Sequence, residues 1–235
     1  MIIGINGKIG SGKDTIGKII QYLISPSDDD DSSEDFTIYD WIEADELNGG
    51  DFSWKIKKFA GKLKQIASLL TGIPEEKFED QEFKKNILGE EWATIRPNPL
   101  NAITPFADIQ FNELMSVREL LQKLGTEAMR NGLHTNVWVN ALMCDYRGPK
   151  LSEYNPSNWI ITDMRFPNEM EAVKERKGIT IRVVRPQIET ANFKPQHPSE
   201  TALDKAKFDY TIINDAGIPE LIEKVREILV IEKII

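Results

Sequence analysis

Near its amino terminus the chain reads Gly7-Lys8-Ile9-Gly10-Ser11-Gly12-Lys13. This run fits the first seven positions of the phosphate-binding pattern G-x-x-x-x-G-K-[ST]. Glycines let the backbone curl until successive N–H groups point at phosphate oxygens, and a following helix adds the positive end of its dipole. The lysine supplies a point charge for the β- and γ-phosphates. The predicted cradle residues are Gly7, Gly10, Ser11, Gly12 and Lys13.

The flanking sequence has the order that such a loop requires. An apolar run at 1–6 predicts a short buried strand before the loop. A helix is predicted at Lys13–Ile24, because Ile16, Ile19 and Ile20 lie on one face at helical spacing. Strand, loop and helix in this order favour a phosphate cradle over a glycine-rich turn with a chance lysine.

The eighth position of the pattern departs from Ser or Thr. It is Asp14, and Thr15 follows. We expect one of these two residues to reach a Mg²⁺ ion, directly or through water, and the sequence leaves open which one. The missing hydroxyl also makes a GTPase switch or a motor ATPase a weaker interpretation.

The remainder of the chain alternates predicted strands with predicted helices. Further strands are predicted at 52–59, 158–163, Ile179–Val184 and 208–214, and further helices at 62–70, from 116 onward, and at 136–146, 167–177 and 218–230. This alternation indicates an α/β fold, the three-layer sandwich of P-loop NTPases, with a parallel sheet of about five strands and helices on both faces.

Two segments interrupt this pattern within what we predict is one domain spanning residues 1–235. Residues 25–51 read as an acidic, solvated surface insertion: 28–31 are four consecutive aspartates, and no Lys or Arg occurs between Lys18 and Lys55. Residues 75–114 read as irregular and rich in Pro and Asn, so we expect a lid or an acceptor-binding excursion there.

Composition narrows the functional classes. The 235 residues are 40% hydrophobic, with mean hydropathy −0.37. One cysteine, Cys144, and two histidines argue against a disulfide framework and a Cys/His metal site. A net charge of −9 argues against a nucleic-acid polymer as partner. No apolar run is long enough for a membrane span and no secretory signal is recognisable, so we expect a cytoplasmic protein, in the host cytoplasm if it is phage-encoded.

Several polar residues are candidates for the site. Asp163 follows an apolar strand and is expected to face the phosphate loop, and Arg165 could clamp a phosphate or pair with Glu169. Arg118 begins a polar helix face at i, i+4 and i+7 that suits a bound nucleotide; its other members are Gln122 and Gly125. Trp138 could stack on a base, although core packing is the commoner role of a helical Trp.

Four further blocks resemble the phage deoxynucleoside monophosphate kinases. They are Ser-Val-Arg-Glu-Leu-Leu-Gln-Lys-Leu-Gly-Thr at 116–126, Ile-Thr-Asp-Met-Arg-Phe-Pro-Asn-Glu at 161–169, Val-Val-Arg-Pro at 183–186 and His-Pro-Ser-Glu-Thr-Ala-Leu at 197–203. With the Gly-Lys-Asp-Thr of the loop they follow the family's order over most of residues 1–215. The resemblance implies transfer of the ATP γ-phosphoryl to a deoxynucleoside 5′-monophosphate.

Carried over by position, the resemblance also implies site residues. As catalytic residues it implies Lys13, Asp163, Arg165 and Arg118. As acceptor-binding residues it implies Arg118, Gly125, Thr126, Trp138, Asp163, Arg165, Glu169 and either Lys85 or its neighbour Lys84. Gln122 joins this set from the polar helix face alone.

The sequence therefore favours a nucleotide kinase that uses ATP and Mg²⁺ on small nucleotides, and it leaves a homodimer open. Two alternatives remain at this point. One is another small-metabolite P-loop kinase, of the dephospho-coenzyme A or phosphomevalonate type. The other is a non-catalytic ATP-binding regulator.

Overall fold

The structure is a computed structural model that describes residues 1–25, 37–43, 53–97, 110–148, 157–189 and 198–235. It divides into two compact units. The sheet unit comprises Met1–Phe59 and Val139–Ile235, and the helical unit comprises Ala60–Trp138.

A five-stranded parallel sheet organises the sheet unit, as predicted. The strands are β1 (Ile2–Gly7), β2 (Trp54–Lys57), β5 (Asn158–Ile161), β6 (Ile179–Val184) and β7 (Tyr210–Ile213). Their order across the sheet is β2-β5-β1-β6-β7. β1 is central: the chain places β2 and then β5 on one side of it, and afterwards crosses to place β6 and β7 on the other side. In open parallel sheets, ligands bind at the carboxyl ends of the strands beside such a reversal, and here the glycine loop follows β1 at that edge.

Helices cover both faces of this sheet. On one face, Ile3 and Ile5 of β1 share a buried cluster with α1 (Lys13–Ile24) and α9 (Ile218–Ile231). On the other face, Gly4 lies against Val173 of α6 (Pro167–Glu175). The alternation of side chains along a strand therefore places one helical layer on each side, the layering expected of a P-loop kinase.

Three shorter helices complete the sheet unit. They are α2 (Ile38–Glu43), α7 (Pro186–Glu189) and α8 (Pro198–Thr201). Helix α2 lies inside the segment that we predicted to be a surface insertion, and its residue Ile42 packs against the main apolar cluster. This helix therefore contacts the core, while the acidic surface insertion at 25–51 stays a prediction and residues 28–31 lie outside the described residues.

The helical unit has its own small core. Its helices are α3 (Gly61–Thr71) and α4 (Val117–Gln122), and α5 (Val137–Met143) follows across the boundary between the units. Ala67, Phe78 and Val117 form its buried centre. Helix α4 begins at a capping box, because Ser116 and Glu119 each bond the other's backbone N–H.

Two details of the helical unit differ from the predictions. Residues 75–114 are not wholly irregular: they contain 3₁₀ turns at Glu75–Phe78, Phe83–Lys85 and Glu90–Trp92 and an antiparallel ribbon of β3 (Thr94–Pro97) and β4 (Gln110–Glu113). In addition, the helix that begins at Val117 widens to a π-helix over Lys123–Leu133. A π-helix bonds i to i+5, so the α-helical spacing on which we based a common face for Arg118, Gln122 and Gly125 ends at Gln122.

None of the helices within the described ranges is long and apolar enough to cross a membrane.

Candidate active site

The glycine loop has the backbone conformation that its sequence predicts. Gly10 and Gly12 have φ of 79° and 93°, a region that residues with a Cβ rarely adopt. A Cβ at Gly12 would also lie 2.5 Å from Nδ2 of Asn214. The amide of Ser11 donates to the carbonyl of Lys8 at 3.1 Å, which closes the turn inside the loop.

Two side chains from the opposite end of the chain hold the loop from outside. Asn214, just after β7, donates from Nδ2 to the carbonyl of Ser11 at 2.9 Å. Arg185, just after β6, donates to the carbonyl of Gly10 at 3.3 Å. Because C=O and N–H point in opposite directions across a trans peptide, fixing the Ser11 carbonyl turns the amide of Gly12 the other way. Arg185 lies in the block at 183–186 that resembles the family, whereas the sequence analysis did not select Asn214.

Lys13 is a largely buried cation. Its side chain is only 11% exposed, and its Nζ lies 3.7 Å from Oδ2 of Asp14. Burial lowers the pKa of Lys13, and the nearby Asp14 carboxylate partly opposes this by raising it. Arg165 lowers the pKa further, while Glu200 and Asp163 raise it. The ammonium group is therefore poorly solvated in the protein alone, and a polyphosphate placed beside it would stabilise its charge.

Asp14 lies among three polar side chains. Its Oδ1 accepts a hydrogen bond of 2.8 Å from the hydroxyl of Thr162 and lies 3.9 Å from Nζ of Lys58. The carboxylate remains 57% exposed. Thr15, the next residue, is half-buried at the start of α1. Asp14, which stands where the pattern has Ser or Thr, is therefore held by Thr162 and Lys58 and still accessible to solvent.

Asp163 lies at the carboxyl edge of the sheet, where we expected it. Its Oδ1 accepts a hydrogen bond of 2.7 Å from the amide of Phe59, after β2. Its charge acts on Lys13. Asp163 therefore combines a backbone contact with an electrostatic effect on the loop lysine.

Arg165 is held from two directions. Its backbone amide donates to Oε2 of Glu169 at 2.7 Å, and the same oxygen accepts from the amide of Phe166 at 3.0 Å. Its guanidinium bonds the carboxylate of Glu200 and lies 3.5 Å from the hydroxyl of Ser199, both in α8. The ion pair that we considered between Arg165 and Glu169 is thus replaced by one with Glu200.

A polar pocket opens between the loop and this arginine. Its lining includes Lys8, Arg165, Arg182, Glu200 and Asp204. Arg182 donates to Oδ1 of Asp204 at 3.2 Å, so each of the two arginines faces one acid of the segment from Pro198 to Asp204. The pocket therefore contains guanidinium donors that are already oriented by their carboxylate partners.

The candidate residues of the helical unit have the following surroundings. Arg118 donates to Oε1 of Gln81 at 3.1 Å, and Lys85 bonds both carboxylate oxygens of Glu82 at 2.7 Å. Gln122 and Thr126 are half-buried. Arg118 is therefore oriented within its own unit.

Two members of this set have packing contacts. Gly125 is buried, and a Cβ there would lie 2.9 Å from Cδ2 of Leu63. Trp138 is also buried and donates from Nε1 to the carbonyl of Gly125 at 2.9 Å. In this structure the indole therefore joins α5 to the π-helix, the commoner role that the sequence analysis gave to a helical Trp.

Comparisons with known proteins agree on one family. A sequence model of that family, described as deoxynucleotide monophosphate kinase, matches residues 72–225. The deoxynucleoside-5′-monophosphate kinase of Escherichia phage T5 is 24% identical over 233 residues, which cover 91% of this chain and 89% of that protein. The deoxynucleotide monophosphate kinase of Enterobacteria phage T4 is 32% identical over 114 residues, covering 48% of this chain and 45% of its own length. That of Escherichia phage RB69 is 30% identical over 118 residues, covering 50% and 46%.

This chain belongs to the deoxynucleotide monophosphate kinase family.

Members of such a kinase family use a nucleoside triphosphate, and the residues of this chain also suit a magnesium ion. Mg²⁺ keeps several waters and binds proteins through one or two carboxylates together with substrate phosphates. Asp14 offers one such carboxylate, partly exposed beside Lys13. Among the described residues there is no cluster of three or more His, Cys, Asp or Glu that could hold a metal ion.

Sequence reasoning missed some residues of this kinase site. Each of them contacts a predicted site residue that is distant in the sequence. Thr162 bonds Asp14 over 148 positions, Asn214 bonds Ser11 over 203, and Glu200 bonds Arg165 over 35. For Glu200 a signal existed, since it lies in the block at 197–203 that resembles the family. Thr162 lies in such a block too, at 161–169. For Asn214, only its position at the end of the predicted strand at 208–214 could have drawn attention.

Proposed function

We propose that this chain transfers the γ-phosphoryl group of ATP to a deoxynucleoside 5′-monophosphate, giving the diphosphate and ADP. The observation that carries the proposal is the glycine loop with its buried Lys13, adjoining a pocket that contains two oriented arginines. The family supports a nucleotide kinase, and the names of the relatives supply the class of acceptor. Lys13, Asp163, Arg165 and Arg118 are the proposed catalytic residues.

The proposed reaction is a direct in-line displacement. An oxygen of the acceptor's 5′-phosphate bonds to the γ-phosphorus while the bond from that phosphorus to the β–γ bridging oxygen breaks, so ADP leaves with both bonding electrons. No covalent enzyme intermediate is needed, because positioning and charge stabilisation account for catalysis in this chemistry. The ammonium of Lys13 and the loop amides offset charge on the moving phosphoryl.

The acceptor's phosphate is proposed to be bound by arginine. A guanidinium fork fixes both the position and the orientation of a phosphate, whereas an ammonium fixes only charge. Arg165 carries such a fork and lines the pocket beside the loop, which supports this role. The other acceptor-binding residues predicted from the sequence keep that proposed role: Lys85, Arg118, Gln122, Gly125, Thr126, Trp138, Asp163 and Glu169.

ATP is proposed to bind through the loop residues named above, with Mg²⁺ held by Asp14 and Thr15. When bound, the ion would offset the negative charge that develops on the phosphates during transfer. The hydroxyl of Ser11 adds support for a ligand here, because it is buried and finds no hydrogen-bond partner among the described residues. Buried polar groups without partners are rare in folded proteins. The lid at 75–114, the homodimer and the cytoplasmic location stay predictions.

The test is a panel of acceptors incubated with ATP and Mg²⁺. It should contain the four deoxynucleoside monophosphates, the matching ribonucleotides, dephospho-coenzyme A and phosphomevalonate. The expected result is ADP formation that depends on a deoxynucleoside monophosphate and yields its diphosphate. ADP formation with dephospho-coenzyme A or phosphomevalonate alone would support another metabolite kinase. ATP binding without turnover on any acceptor would support a regulator.

A further inference from the structure

Thr162 follows β5 directly and is fully buried. Its amide donates to the carbonyl of Lys57 at 3.3 Å, which extends the pairing of β5 with β2 by one residue. Its hydroxyl donates to Oδ1 of Asp14 at 2.8 Å. Thr162 therefore connects the carboxyl edge of the sheet to the first turn of α1, where the phosphate loop ends.

Gly17 makes this connection possible. A Cβ at position 17 would lie 2.5 Å from Cγ2 of Thr162, so any larger residue would push α1 away from the end of β5. With glycine there, the helix approaches closely enough for the hydroxyl to reach Asp14. Threonine also has few χ1 rotamers because it is β-branched, so its hydroxyl is held in a defined direction.

The carboxylate that receives this hydrogen bond lies between two cations. Its Oδ2 is 3.7 Å from Nζ of Lys13, and its Oδ1 is 3.9 Å from Nζ of Lys58. Asp14 is largely exposed, so burial alone does not hold its side chain in one rotamer. The Thr162 hydroxyl is a buried donor on this carboxylate, and it selects the rotamer that faces Lys13.

We propose that Thr162 is a positioning residue for phosphoryl transfer, whose hydroxyl fixes the Asp14 carboxylate beside the ammonium of Lys13. Thr162 is fully buried, so its proposed effect is transmitted through Asp14. The expected effect of Thr162 on turnover rests on the proposed kinase function. Its coupling to Asp14 does not depend on the acceptor. Loss of the hydroxyl lets Asp14 turn, so that Lys13 loses its fixed counter-charge and binds the phosphates in a less defined geometry.

The experiment compares Thr162→Val with Thr162→Ser and with a matched control. The control is Thr180→Val, because Thr180 is also fully buried and donates to an aspartate, Oδ2 of Asp209, at 2.6 Å. Thr180 lies in the first half of β6, away from the edge of the sheet that carries the loop. Both valine substitutions remove a buried Thr–Asp hydrogen bond, and only one of them removes it at Asp14.

Thr162→Val is expected to lower kcat about tenfold, equivalent to ~1.4 kcal/mol, with the acceptor KM changed less than about twofold. Thr162→Ser should recover most of that loss, because it retains the hydroxyl. Thr180→Val should keep kcat near the wild-type value, even if it lowers the free energy of unfolding as much as Thr162→Val does. Equal kcat values for the two valine variants, measured below both unfolding transitions, would overturn the proposal.

A double-mutant cycle with Asp14→Asn tests whether Thr162 acts through Asp14. In the Asp14→Asn background, Thr162→Val should add little further loss, whereas independent roles would give additive losses and refute the proposal. The same cycle is to be run on ATP binding with Mg²⁺, measured by calorimetry, which needs no acceptor and no turnover. If Thr162 and Asp14 are coupled in ATP binding but no acceptor on the panel is phosphorylated, only the proposed kinase activity is refuted. If an acceptor on the panel is phosphorylated but the losses of ATP affinity in Thr162→Val and Asp14→Asn are additive, only the positioning role of Thr162 is refuted.

Discussion

Lys13 combines two opposing effects. Burial disfavours its charged form in the free protein, while a bound polyphosphate would favour it. The same residue should therefore weaken the fold of the empty protein and strengthen the binding of the transition state. Replacing Lys13 should therefore change both the turnover number and the free energy of unfolding.

Lys13→Met is expected to lower kcat by about 100- to 1,000-fold, since it removes a charge directed at the transferring phosphoryl. Lys18→Met is the control: Lys18 lies in the same helix but donates to the carbonyl of Ile42 at 2.7 Å, so it should retain near-wild-type turnover. Steady-state kinetics with circular dichroism checks the result. A folded Lys13→Met protein with normal kcat would refute the assignment of the phosphate loop.

The pKa of Lys13 also predicts a pH effect on stability. Because this pKa is lowered in the folded protein, the charged lysine reduces stability at neutral pH, and the effect fades as pH rises through the folded pKa toward the unfolded value of 10.5. Lys13→Met should therefore have a higher free energy of unfolding than wild type at pH 7, by a margin that shrinks near pH 10. Urea unfolding at both pH values measures it; a margin that grows with pH would contradict the prediction.

Gly12 should not tolerate a Cβ. Gly12→Ala forces a residue with a side chain to φ 93° and brings its Cβ to 2.5 Å from Asn214, so we expect a loss of about 1–3 kcal/mol in the free energy of unfolding and weaker ATP binding. Gly61→Ala is the control, since nothing lies within 4 Å of a Cβ at the start of α3. It should be neutral or stabilising by up to about 1 kcal/mol. Equal effects of the two substitutions in denaturant unfolding would contradict the strain argument.

Among the elements, α6 begins with a buried acid that holds the chain before it. Glu169→Ala removes the acceptor of two amides and should lower the free energy of unfolding by about 2–3 kcal/mol, as expected for hydrogen bonds to a charged group. Glu171→Ala, an exposed position in the same helix, should change it by less than about 0.5 kcal/mol. Thermal and urea unfolding compare them. If Glu169→Ala instead retains stability and only raises the acceptor KM, its role is in binding rather than in holding α6.

Arg165 is oriented jointly by α6 and α8, so its fork should matter more than its charge. Arg165→Lys is expected to raise the acceptor KM or lower kcat by about 10- to 100-fold while ATP affinity changes little. Arg176→Lys is the control, because Arg176 bonds the carbonyl of Ala172 at the far end of α6. Kinetics with each substrate varied, plus direct ATP binding, checks this. Loss of ATP binding with intact acceptor binding would refute an acceptor role for Arg165.

For the molecule as a whole, the acidic segment should be dispensable for catalysis. Deleting residues 28–35 removes six carboxylates and changes the net charge from −9 to −3. A segment of this composition buries little apolar area, so kcat/KM should change less than tenfold, ~1.4 kcal/mol. A matched variant replacing the six acids with Ser and Asn separates charge from length. A larger loss in both variants would show that the carboxylates contribute to the site.

The local parts of this protein were predictable from its sequence. The loop, the strand before it and α1 depend on glycine spacing and on apolar periodicity, which act over a few residues. The five strands of the sheet were found for the same reason. The π-helix at Lys123–Leu133 was not, because its residues also suit an α-helix, and the ribbon of β3 and β4 was hidden in a segment rich in turn-forming residues.

What the sequence by itself determined is the phosphate loop, the parallel α/β class and, through resemblance, the kinase family. Only the tertiary structure decided which residues support the loop: Thr162 on Asp14, Asn214 on Ser11 and Glu200 on Arg165. The reason is physical. The order β2-β5-β1-β6-β7 brings the carboxyl ends of strands that are distant in the chain to one edge, and a hydrogen bond made there depends on that order rather than on any local pattern.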